Sequence, residues 1–130
     1  MYENYTVKAK KAMALANQQA IKYSQEYIGT EHILLGILIE GNGIGITLLK
    51  RCGVNIENLK KELLNIFQDA TPIVTLGTMP LTPKGKKAIK LAEDYASFVN
   101  DDIVGTDHLI YGLISESSNV VASLFSSMGI

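Results

Sequence analysis

The chain has 130 residues and a single cysteine, Cys52. One thiol cannot build an internal disulfide framework, and a reducing compartment is the natural setting. Neither charge is in excess: twelve Lys and Arg stand against thirteen Asp and Glu, for a net charge of −1. A general nucleic-acid or acidic-membrane binder would be clearly basic, so neither partner is expected. No apolar run reaches the ~18 residues that a membrane helix needs. The opening MYENYTVKAKKAM lacks the apolar core of a signal peptide. A soluble, cytoplasmic protein is the expectation. A phosphate loop of the Walker type is also missing. The glycine-rich stretch from Gly41 to Gly45 lacks the following Gly-Lys-Thr and follows a helix, so it reads as a turn.

The candidates for chemistry are few. Cys52 has no evident histidine and carboxylate partners and sits in an apolar helix end, so it reads as a buried or inert thiol. His32 and His108 each follow an acidic residue directly, and adjacent side chains diverge by about 100° on a helix. Metal needs three or four convergent ligands, so no metal site is expected. Each histidine reads instead as a first-turn residue making a local hydrogen bond.

What is present is a repetition. Residues 29–38 read GTEHILLGIL and residues 105–114 read GTDHLIYGLI. A shift of 76 residues superposes the chain on itself without a gap, with 15 identities in the 49 pairs from Thr6 to Val54. They include Thr6 with Thr82, Lys8 with Lys84, Gly29 with Gly105, Thr30 with Thr106, His32 with His108 and Gly36 with Gly112. This is a true internal repeat. With 47% hydrophobic and 19% charged residues, the length suits one domain, 1–130. Repeat one covers 1–68, a linker 69–81, and repeat two 82–130.

Both units read as all-α. Thr6 and Thr82-Pro83 open first helices, with apolar residues at helical spacing behind them. Thr30 and Thr106 are expected to cap the helices of the repeated phrase. A third helix runs from about Ile44 to Arg51 and stops at Gly53. Asn55 is expected to cap a fourth, with Ile56, Leu59, Leu63, Ile66 and Phe67 as its apolar stripe. The second unit ends before an equivalent of that fourth helix, as a piece of a longer protein would.

The phrase itself allows two readings. A threonine cap and an acidic first turn answer the helix dipole, and nothing need bind. Alternatively, the free N–H groups take an anion while Glu31 or Asp107 takes a cation. A ligand with both ends, such as phosphoarginine, would satisfy both features through a planar guanidinium–carboxylate fork. The basic runs Lys8, Lys10, Lys11 and Lys84, Lys86, Lys87 read as solvated faces, with a weaker case for phosphate contact. Tyr2, Met13 and Leu81 near the repeat starts could belong to the core or line an apolar groove between the repeats. Tyr5 and Leu81 precede the threonines as hydrophobic staples, and Tyr2 is the more exposed candidate.

The doubled pattern, YTVKAKKAMALANQQA…YIGTEHILLGIL and LTPKGKKAIKLAEDYA…IVGTDHLIYGLI, resembles the N-terminal domain of Clp ATPases and most nearly the ClpC branch. The start MYENYT is similar to that branch's Phe-x-x-Phe-Thr. The resemblance implies two four-helix repeats related by a pseudo-two-fold axis, the second here lacking its last helix. It implies a non-catalytic module of an AAA+ unfoldase that feeds a ClpP-type protease. Such a module binds substrate proteins and adaptor proteins, and in ClpC it reads phosphoarginine. It carries no cofactor of its own, ATP and Mg belonging to ATPase modules outside this chain. The whole assembly would be hexameric and this piece monomeric. By the same resemblance the guanidinium contacts fall to Glu31 and Asp107, with Thr30 and Thr106 at the helix ends. Aspartate is one methylene shorter, so the second site is expected to be weaker. The alternative is docking of adaptors or unfolded peptides in the apolar groove, without phosphoarginine.

Overall fold

Side chains that accept backbone N–H groups start four of the helices in the computed structural model, which describes residues 2–67 and 79–130. Among the described residues the helices are α1 (Val7–Lys22), α2 (Thr30–Glu40), α3 (Ile44–Arg51), α4 (Ile56–Leu64), α5 (Pro83–Phe98), α6 (Thr106–Ser115) and α7 (Val120–Ser127). Thr6 Oγ1 accepts the Ala9 N–H at 3.1 Å, and Thr82 Oγ1 the Gly85 N–H at 3.0 Å. Asn55 caps α4 through Asn58 N at 3.0 Å, and Asn119 caps α7 through Ala122 N at 2.9 Å. Gly41, at φ +78°, ends α2 in the left-handed region that glycine enters without a Cβ penalty.

Among the described residues the first unit has four helices and the second three, as the sequence suggested. Most of the expected linker, residues 69–78, lies outside the described residues. Its end is ordered: the Pro80 carbonyl accepts from Ile28 N at 2.8 Å, and Thr82 N donates to Ile28 O at 2.9 Å. The partner relation holds at the other repeat start. Val104 N donates to Asn4 O at 2.7 Å, and Thr6 N donates to Val104 O at 2.9 Å. Tyr5 thus pairs with Val104, and Leu81 with Ile28. Adding 76 to Tyr5 gives Leu81, and subtracting it from Val104 gives Ile28. The two bridges exchange under the repeat operation, which is the mark of a two-fold. Each repeat starts its first helix on the backbone of the other.

The core explains the glycine in the middle of the phrase. A Cβ on Gly36 would overlap the carbonyl oxygen of Ala12, and one on Gly112 that of Ala88. Ala12 and Ala16 of α1 face Gly36, and Ala88 and Ala92 of α5 face Gly112, so each helix pair packs backbone to backbone. α4 lays its stripe on α2 and α3, with Leu59 and Leu63 fully buried. Each such leucine contributes roughly 2 kcal/mol of transfer free energy. No described helix is long and apolar enough to cross a membrane; α2 and α3 form an apolar pair but bend by 92° at their junction, and α2 is buried along most of its length.

Three expectations change. Thr30 and Thr106 do not cap α2 and α6; the N-caps are Gly29 and Gly105. Met13 is 3% exposed and belongs to the core, so it lines no open groove. Cys52 is exposed at the end of α3 rather than buried, because the chain turns away there at Gly53 with φ +83°.

Candidate functional site

The start of α6 carries the phrase Gly105-Thr106-Asp107-His108, and each residue has a separate task. Gly105 has no side chain to cap with, so the cap is histidine: His108 Nδ1 accepts the Gly105 N–H at 2.9 Å. His32 does the same for Gly29 at 2.9 Å. An Nδ1 that accepts must leave the proton on Nε2. His108 gives that proton to Asp101 Oδ2, 2.7 Å away. His32 Nε2 is buried and finds no partner among the described residues. Burial pushes the His32 pKa down to about 4. Both histidines are thus committed to capping, and among the described residues no three His, Cys, Asp or Glu side chains converge.

The acidic residue folds back over the glycine. A Cβ on Gly29 would overlap the Glu31 carboxylate, and one on Gly105 would lie 2.7 Å from Asp107 Oδ1. Glycine therefore leaves the room that each carboxylate occupies. Both side chains remain partly exposed, at 27% and 29%. Oδ1 of Asp107 is buried and has no hydrogen-bond partner among the described residues.

The threonines point inward. Thr30 and Thr106 are buried, and Thr106 Oγ1 accepts the Gly45 N–H of α3 at 2.7 Å. A ligand at these helix ends would meet the Thr106 backbone, not its hydroxyl.

The cross-bracing of the repeats then adds a cation. The start of α1 sits beside the start of α6, and a pocket forms from Thr6, Val7, Lys8, Asn42, Gly105 and Thr106, with Ile44 and Thr47 as a further wall. Lys8 Nζ rests on the Asn42 carbonyl at 2.9 Å. Its repeat mate Lys84 rests on the Ser118 carbonyl at 2.9 Å. The first pocket is therefore composite: Lys8 of repeat one meets Gly105 and Thr106 of repeat two, the residues that directly precede Asp107. Sequence reasoning treated these lysines as solvated. The available signal was that Lys8 and Lys84 are identities of the repeat, while the approach of Lys8 to the other repeat's helix start is tertiary. Lys10, Lys11, Lys86 and Lys87 are exposed, as solvated residues would be.

The groove residues separate. Tyr2 is half-buried with its ring 4.9 Å from that of Tyr5, Leu81 is partly buried in the bridge to Ile28, and Met13 is interior. They do not converge on one open surface.

The chain matches the Clp repeat (R) N-terminal domain over residues 4–128. It belongs to that family. It is 35% identical over 130 residues to the negative regulator of genetic competence ClpC/MecB of Bacillus subtilis, covering 100% of this chain and 16% of that protein. It is 33% identical over 129 residues to the chloroplastic chaperone protein ClpC of Pisum sativum, covering 99% of this chain and 14% of that one. The fold is shared with the N-terminal domain of ClpD from Arabidopsis thaliana (TM-score 0.74, 18% identity, 99% of this chain and 87% of that chain). It is shared too with the Hsp104 N-terminal domain of Candida albicans (TM-score 0.80, 16% identity, 98% and 83%). As in those Clp N-domains, the architecture is all-α. The chain thus spans about one-sixth of the length of the ClpC relatives it matches.

Proposed function

We propose that this Clp N-domain is the recognition module of a ClpC-like ATP-dependent unfoldase, and that it captures adaptors and substrate proteins carrying phosphoarginine. On this reading it is a binding domain and not an enzyme. ATP hydrolysis, hexamer formation and contact with a ClpP-type protease belong to other modules.

The observation that carries the reading is the pocket in which Lys8 and the N-terminal turn of α1 meet Gly105 and Thr106, with Asp107 the next residue of α6. An anion alone would be repelled by Asp107, and a cation alone would be repelled by Lys8. Phosphoarginine places a phosphate and a guanidinium a few ångströms apart. The phosphate takes the ammonium and free N–H groups, and the guanidinium takes the carboxylate. Two such sites on one rigid body raise avidity for a doubly marked chain through effective concentration.

Calorimetric titration with phosphoarginine, with arginine and phosphoserine as controls, tests this. Two saturable sites are expected, one lost in Glu31→Ala and the other in Asp107→Ala. No binding to the unmodified chain would reject phosphoarginine reading and return the repeated phrase to helix capping.

A further inference from the structure

The two carboxylates share a sequence motif but not a neighbourhood. Beyond Asp107, and sharing Ile44 with the lysine pocket, lies an open apolar cavity of about 250 Å³. Its walls are Ile44 and Leu48 of α3, Ile114 of α6, and the pair Tyr95–Tyr111, stacked at 3.9 Å and 15°. Ile44 is 64% exposed, and Leu48, Tyr111 and Ile114 are each 41–43% exposed. These apolar residues adjoin one another around a cavity rather than standing scattered over the surface. Around Glu31 the equivalent positions are filled. Leu35 stands in place of Tyr111 and is fully buried, Leu38 stands in place of Ile114 and is buried, and Gln19 replaces Tyr95. On that repeat α4 packs on α2, and Tyr23 stacks on Phe67 at 4.6 Å.

We infer that the Asp107 site reads sequence context: its occupant is an extended substrate segment in which an arginine stands next to a large aliphatic or aromatic residue. The inference rests on the proposed role of Asp107 as a guanidinium partner. Charge complementarity supports it, because the one charged group on the cavity's edge is the partly exposed carboxylate of Asp107. The exposed tyrosine face of Tyr111 beside it suits a planar cation. The apolar neighbour of the arginine then fills the space between Ile44, Leu48 and Ile114. Glu31, flanked by the buried Leu35 and Leu38 where Asp107 has the open Tyr111 and Ile114, reads the arginine alone. The repeat therefore supplies one general and one selective site.

The test uses labelled hexapeptides in fluorescence anisotropy. The central residue is arginine or phosphoarginine, and its neighbours are Leu and Phe or two serines. The protein is the full chain as Glu31→Ala, which isolates the Asp107 site, or as Asp107→Ala, which isolates the other. In Glu31→Ala the apolar neighbours should tighten binding about tenfold, the effect of burying one large apolar side chain. In Asp107→Ala they should change it less than twofold. Adding Ile44→Ser, at a position 64% exposed, or Tyr111→Ser should erase the gain. Equal affinity for both flanks in Glu31→Ala, or a gain that survives Ile44→Ser, would overturn the inference. A flank effect that is the same for arginine and phosphoarginine would uphold it while rejecting the phosphate reading. Tighter binding of phosphoarginine whatever its neighbours would do the reverse.

Discussion

Thr106 Oγ1 accepts the backbone N–H of Gly45 at 2.7 Å, across 61 residues of chain and from one repeat to the other. The helix it serves, α3, begins at Gly43, which has no side chain to cap with. Its counterpart α7 begins at Asn119, which caps itself and also donates Nδ2 to Leu113 O and Glu116 O at 2.7 and 2.6 Å. Replacing Thr106 by valine keeps the shape and orphans a buried N–H. Thr106→Val should lower the free energy of unfolding by about 2 kcal/mol, read from urea denaturation. A change near zero would show that the inter-repeat cap carries no stability.

Burial of His32 gives stability a pH dependence. The unfolded histidine binds its proton near pH 6.5 and the folded one only near pH 4. Below pH 6.5 the unfolded state therefore holds more protons, and acid favours it. Stability should be intact above pH 6.5 and fall by about 3 kcal/mol as the pH drops to 4, at 1.36 kcal/mol per unit. Denaturation curves at pH 7 and 4.5 measure this, and His32→Gln should flatten the difference.

Gly36 and Gly112 are where helices touch through backbone. Gly36→Ala and Gly112→Ala each force a methyl into a carbonyl oxygen, and the helix pair must move apart. Each should cost about 3 kcal/mol, visible as a lower thermal midpoint. An alanine tolerated at either position would mean that the helices can separate without loss.

Lys8 and Lys84 are exposed, and among the described residues each holds a loop carbonyl. Lys8→Ala and Lys84→Ala should leave the thermal midpoint nearly unchanged. Each should weaken phosphoarginine binding at one of the two sites about fivefold to tenfold, with a shallower salt dependence. Titration at two salt concentrations checks this. Undiminished binding in both variants would remove the lysines from the site.

Much was legible because it is local. Thr6, Thr82 and Asn55 capped the helices they precede, and the 3.6-residue spacing of Leu59 and Leu63 marked a buried face. The repeat announced itself, because one unit cannot bury its apolar face alone and a second copy of the same pattern completes it. The role of Thr30 and Thr106 was misread because a threonine before an apolar run looks like a cap. The histidines do make the local hydrogen bond that the sequence suggested, and only packing revealed that the Thr106 hydroxyl holds α3.

The sequence by itself determined the helices, their two-fold repetition and the positions of two carboxylates at helix starts, since caps, periodicity and glycines act over a few residues. The tertiary structure decided which residues meet. It set Lys8 beside Gly105 and Thr106 through a backbone bridge nearly a hundred residues long in sequence, buried Met13, and left Tyr111 open where Leu35 is covered. Those outcomes depend on how two units dock and on which helix covers which face, and no local pattern encodes either.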